Sequence, residues 1–390
     1  MRIIGLAALL LLPLVSCGKK ENEVLNEPII HTFYSHIDTV GANLTVIGEN
    51  FSKQPQHNVL GFQGVEVPSH RVSGDTLQVH IPAGAKTGKI KLKVYSKETF
   101  SEDTLFIVNG RFKRVQPIPI GRHDAIGFSI RGKGYVGTGS GTAGYLGDMW
   151  EYDPGRNTWV KISDFPVGAL REGFAFVIGD RAYIGGGTEM GQLNSSRAMY
   201  AFDPTLRTWN RVADFPGVET RNVVALAING KGYIITGFYS KQVWEYNPET
   251  NSWLKKQDFP GLRRSAASGF VINNKGYVGI GNHGSNPWLQ DLWEYDPAQD
   301  TWIRKRSLPR YIGYNAVGFT IYDKGYFMNG NHNSRAVWEY DHLADTWTQK
   351  LQYPGEANGY AVSFVIDGEA YVVGGVGHNK ASDQNWKFIP

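Results

Sequence analysis

Four arginines, Arg122, Arg171, Arg221 and Arg264, each stand a few residues ahead of a short apolar run. Tyr314 holds the corresponding place in a fifth segment and Gly359-Tyr360 in a sixth. Guanidiniums gathered in an arc could bind carboxylates through paired hydrogen bonds. The same donors serve equally well to hold neighbouring loops through backbone carbonyls. A second set follows a different run of apolar residues: Gly281-Asn282-His283, Gly330-Asn331-His332 and Val376-Gly377-His378-Asn379. Imidazoles at matching places suit a metal or a polar arc for sugars. Repeat-related positions diverge on neighbouring elements, however, so three rings meeting on one ion is geometrically hard. Loop hydrogen bonding is expected of them, and no metal. Tyr145, Tyr239, Trp288, Tyr311 and Tyr314 add aromatic faces of the kind that pack against sugar rings or peptide side chains.

One further residue carries chemistry by its position. Arg2 is followed by an apolar stretch, Ile3 to Val15, too short to span a bilayer, and the stretch ends in Leu14-Val15-Ser16-Cys17. This ending resembles the bacterial lipobox, which implies cleavage before Cys17 and a lipid on its thiol. Residues 1–16 are then a lipoprotein signal peptide and 17–27 a short solvated tether. Several acyl chains anchor stably where one does not. Cys17 is the only cysteine, so no disulfide is available and the folded cores must hold by packing. The implied location is the cell envelope, with outer-membrane attachment.

The elements that must position these groups are short strands. The chain of 390 residues has 47 Gly, 20 Tyr, 19 Phe and 11 Trp, a composition of many tight turns and aromatic-rich strands. From Phe112 onward it repeats. Glu151-Tyr152-Asp153-Pro154 with Thr158-Trp159 recurs around Trp209, Trp253, Trp302 and Trp347, at intervals of 50, 44, 49 and 45 residues. Upstream lie aromatic–glycine pairs four residues apart, from Tyr135/Gly139 to Tyr371/Gly375. These landmarks resemble the kelch repeat, and the resemblance implies a six-bladed β-propeller over residues 109–390. Its last copy, Asn385-Trp386-Lys387-Phe388, lacks an outer strand, which Arg111-Phe112-Lys113-Arg114 supplies. In such a blade the loops after the second and fourth strands share one face, because strand direction alternates. The arginine and histidine sets both fall there.

Residues 28–108 read instead as alternating strands separated by turns: Leu44 to Ile47, Val59 to Phe62, Thr76 to Ile81 and Lys89 to Val94. The stretch resembles the IPT/TIG family through Leu44-Thr45-Val46-Ile47-Gly48-Glu49-Asn50-Phe51 and Ile81-Pro82-Ala83-Gly84. That implies an immunoglobulin-like sandwich acting as a spacer or interaction module.

Several activities are set aside. There is no Gly-x-Ser-x-Gly elbow, His-Glu-x-x-His pair, phosphate loop or dinucleotide fingerprint. Galactose oxidase shares the kelch propeller, but its radical needs a cysteine crosslinked to tyrosine, and Cys17 is committed. With 40 basic against 36 acidic side chains, nucleic acid is not an expected partner. The expectation is an anchored binding protein without cofactor, offering Arg122, Arg171, Arg221, Arg264, Tyr314, His283, His332, His378, Tyr239 and Trp288 to a glycan or envelope protein. A resemblance to six-bladed kelch sialic acid mutarotases implies an alternative, an isomerase on an anionic sugar. It would draw its acid–base pair from Glu172, Glu189, Asp124 and His123. A structural role in an envelope complex is the third reading.

Overall fold

The computed structural model describes residues 26–34, 37–38, 40–107, 110–192, 194–218, 221–284, 289–331, 334–356, 359–377 and 380–390. Cys17 and the leader lie outside the described residues, as do Trp288, His332 and His378. The described part is all-β, with one single-turn helix at Pro55–His57. It divides into two compact units, the boundary falling between Phe106 and Ile107.

The first unit is an immunoglobulin-like sandwich. One sheet runs in the order Ile29–Tyr34, Asn43–Glu49, Thr76–His80, Arg71–Ser73. The other pairs Lys97–Ile107, Gly88–Val94, Asn58–Gly61 and Glu66–Pro68. Alternation does what period two requires: Leu44 and Val46, Leu77 and Val79, and Ile90, Leu92 and Val94 are buried while their neighbours face outward.

The second unit holds six four-stranded antiparallel sheets. In chain order their first strands are Ile126–Ile130, Leu170–Ile178, Val224–Ile228, Ser268–Ile272, Val317–Ile321 and Ala361–Ile366. Sheets two to five each take four consecutive strands, sheet one does so around the small hairpin of Ser140–Gly141 and Gly144–Tyr145, and sheet six is completed from the other end of the unit. There Arg111–Arg114 lies antiparallel to Asn385–Ile389, with Phe112 opposite Phe388 and Arg114 opposite Trp386. Each first strand packs on the first strand of the next sheet, and that of sheet six packs on that of sheet one.

Glycine makes this close packing feasible. A Cβ on Gly232, at the head of a second strand, would meet the Phe176 ring of the preceding sheet at 2.2 Å. Gly325 stands in the same relation to Phe270, and Gly134 to Phe364. The aromatic of one sheet thus enters a notch left by the missing side chain of the next. The Gly134–Phe364 contact joins sheet one to sheet six by the same device as the others.

The outer strands are stitched by a recurring polar clip. The Tyr246 hydroxyl donates to Asn251 Oδ1 at 2.8 Å, and that oxygen also accepts the Ala213 amide of the preceding sheet at 2.8 Å. Trp253 Nε1 returns a bond to the Ala213 carbonyl at 3.1 Å. The pattern repeats at Tyr152/Asn157, Tyr295/Asp300 and Tyr340/Asp345. Sheet two departs from it. Phe202 has no hydroxyl, Arg207 occupies the acceptor position, and Trp209 bonds the Ser163 hydroxyl at 3.1 Å instead.

Candidate functional site

The four arginines fall into two registers. Counted back from the tyrosine of each second strand, Arg122 and Arg264 lie 13 residues upstream of Tyr135 and Tyr277, whereas Arg171 and Arg221 lie 12 upstream of Tyr183 and Tyr233. One residue of slip turns the side chain the other way. Arg122 is 0% exposed and grips Asp148 through both terminal nitrogens at 2.8 and 3.0 Å, with a further bond to the Thr138 carbonyl. Arg264, also 0% exposed, holds Asp291 at 2.7 and 2.7 Å and the Ile280 carbonyl at 2.8 Å. Both acids would rise on burial, yet the guanidinium bonds keep them below the ordinary carboxylate range. The expected ligand role of Arg122 and Arg264 is therefore corrected. Their charge is spent on an internal partner, and no donor reaches solvent.

Arg171 and Arg221 have Ala198 and Gln242 where the other two have aspartates. Arg171 lies over the Tyr145 ring, 5.0 Å from its centre and 4.0 Å from the Glu172 carboxylate. Arg221 stacks on Phe238 at 3.7 Å. Both are partly exposed.

A ring of unusual backbone lies one residue beyond. The six residues 11 positions ahead of each tyrosine are Asp124, Glu172, Asn222, Ala266, Asn315 and Tyr360. All six have left-handed φ, between 51° and 60°. Aspartate and asparagine accept that conformation readily; glutamate, alanine and tyrosine do so at a cost. Backbone hydrogen bonds run from one to the next across sheets: Glu172 to Asp124, Asp124 to Tyr360, Tyr360 to Asn315, Asn315 to Ala266 and Ala266 to Asn222, at 2.8 to 3.1 Å. The bonds hold the bend that turns these side chains out of their sheets.

The consequence is a cavity of about 170 Å³ with contributions from all six sheets. Its polar wall is Asp124, Glu172, Asn222, Asn315 and Tyr360. The position after each of the six left-handed residues is small or short (Ala125, Gly173, Val223, Ala267, Ala316, Ala361), which leaves the space open. His123 donates Nδ1–H to Asp124 Oδ2 at 2.8 Å and meets the Tyr360 ring edge-on. Burial, reinforced by neighbouring Tyr314, pushes the Tyr360 hydroxyl up to about 12, so it remains a proton donor at neutral pH. Carboxylates accept, and amides, phenol and imidazole can donate. This is a wall for hydroxylated ligands, with a carboxylate–imidazole pair able to move a proton.

Three of the four acid–base candidates, His123, Asp124 and Glu172, are thus brought together. Glu189 is not; it pairs with Leu170 at the far end of its strand, away from the cavity. Tyr314 enters through its contact with Tyr360. His283 donates to the Arg263 carbonyl at 2.6 Å and does not line the cavity, and neither does Tyr239, whose ring packs on Phe238. The Asn222, Asn315 and Tyr360 series was missed as a set, although its fixed distance from the repeat tyrosine was available. So was the fact that His378 stands one residue out of register with His283 and His332.

Residues 28–108 match the IPT/TIG domain family. The solved structure of YjhT resembles this chain with a TM-score of 0.59 at 15% identity, over 70% of this chain and 95% of that one. At that identity the likeness concerns the fold. No curated protein matches.

Proposed function

We propose that the protein is a lipid-anchored binding protein of the cell envelope whose repeat unit is a six-bladed kelch propeller, and that its mouth binds a glycan. The blade reading draws on six four-stranded sheets, the packing of the sixth on the first, and the outer strand that the beginning of the unit lends to sheet six. The observation that carries the binding reading is the series of left-handed residues linked from sheet to sheet by backbone hydrogen bonds. It spends backbone strain to aim carboxylates, amides and a phenol into one cavity, and stored strain of this kind accompanies binding sites. The anchor reading rests on Cys17 and its leader, and it takes the IPT/TIG domain as a spacer module.

A second reading is favoured by one contact. The His123–Asp124 bond places an acid–base pair beside Glu172, which suits mutarotation or epimerisation of a sugar. A glycan array run beside a mutarotation assay on sialic acid separates the readings. Saturable glycan binding without turnover supports the binding protein, and turnover lost in Asp124→Asn supports the isomerase. Neither result, with a partner found by crosslinking, returns the protein to a structural role. Cys17→Ser is expected to release the protein from membranes, and retention contradicts the anchor.

A further inference from the structure

We infer that the cavity discriminates by charge: it takes the hydroxyl- or amine-bearing end of a sugar, favours amino sugars over neutral ones, and rejects sugars whose inserted end carries a carboxylate. This rests on the glycan-binding reading of the same site. The chain's arginines suggest the opposite preference until their partners are counted. Arg122 and Arg264, nearest in position to an anion-binding arc, are neutralised by Asp148 and Asp291 and shut away from solvent. The charged side chains among the cavity's lining residues are Asp124 and Glu172, both acidic. Arg171 approaches Glu172 no closer than 4.0 Å and is held over Tyr145, and Arg221 is stacked on Phe238, and neither is among the residues that line the cavity. His123 is turned toward Asp124 through Nδ1.

A carboxylate entering this space would lose water to face two others, whereas an ammonium would gain charge-assisted bonds and a hydroxyl would gain ordinary ones. The preference should run ammonium, then hydroxyl, then carboxylate. Asp124 and Glu172 are its determinants. Asn222 and Asn315 can donate and accept equally and set no sign.

The test uses the full chain and three probes, a glucosamine tetramer, an N-acetylglucosamine tetramer and sialyllactose, titrated calorimetrically at low and high salt. We expect the glucosamine oligomer to bind at least tenfold more tightly than sialyllactose, and the margin to shrink with salt. Asp124→Asn/Glu172→Gln should remove most of that margin. Both replacements keep size, and asparagine is at ease in the left-handed backbone of position 124, so folding is retained and checked by thermal melting. Sialyllactose binding as tightly as the amino sugar, with its affinity lost in Arg171→Gln, overturns the charge inference and leaves glycan binding standing. Failure of all three probes overturns the inference and counts against the glycan reading beneath it.

Discussion

Asp148 and Asp291 decide what Arg122 and Arg264 can do. A buried guanidinium stripped of its carboxylate is left with charge it cannot solvate, so Asp291→Ala is expected to cost about 3–5 kcal/mol in urea unfolding. Arg264→Met/Asp291→Leu, which removes both charges, should cost much less. The pair is also acid-labile. Asp291 ionises in the fold below its ordinary value of 3.8. Its contribution is therefore complete above about pH 4 and lost as pH falls through the folded value. The gap between wild type and Asp291→Ala should hold from neutrality to about pH 4 and narrow below. A gap unchanged at pH 3 would deny the ion pair its role. The sequence displayed all four arginines but not the distinction among them. That distinction lies in a one-residue offset and in whether an aspartate occurs 26 or 27 positions later, a pairing visible only once strand register is known.

At the level of the strand, the bend after each second strand is the most informative feature. The residue three past the repeat tyrosine is left-handed in all six sheets, yet it is glycine only at Gly186 and Gly374; elsewhere it is Thr138, Thr236, Ile280 and Asn329. Thr236 is β-branched at a φ of 60° and its buried Oγ1 has no hydrogen-bond partner among the described residues. Thr236→Gly is expected to raise stability by about 1 kcal/mol, read as a higher melting temperature. A fall would mean that its methyl group contributes more than the strain costs. The polar clip makes the opposite prediction. Asn251→Ala leaves the Tyr246 hydroxyl and the Ala213 amide without an acceptor, at about 2 kcal/mol. Arg207→Ala in sheet two, where the clip is missing, should be nearly neutral. The strands themselves were legible because tyrosine, tryptophan and aspartate recur at fixed offsets. The sandwich's first and last long strands, Ile29–Tyr34 and Lys97–Ile107, were less so, since a bulge between Ile30 and Thr32 breaks the alternation of the first and Ser101 is buried in the second. The cavity wall was illegible as a set because its members differ in type. What they share is a backbone angle.

For the repeat unit as a whole, the sixth sheet is where cohesion is most exposed to insult. Phe364 fills the notch at Gly134, and Arg111–Arg114 covers the edge of Asn385–Ile389. Phe364→Ala should cost about 3–5 kcal/mol, and a chain begun at Val115 should leave that strand's edge unpaired and aggregate. Retention of monodispersity and melting temperature in the shortened chain would show that Arg111–Arg114 is not needed to cover that edge. The cavity lined from all six sheets is the proposed binding site. Its most direct test is a plug. Ala316→Leu adds bulk on the cavity wall without changing a charge, and it keeps the main-chain carbonyl that accepts from the Ser268 hydroxyl. A glycan captured by the wild-type protein should lose at least tenfold in affinity to this variant while its melting temperature is retained; undiminished affinity would place the ligand elsewhere and contradict binding in this cavity.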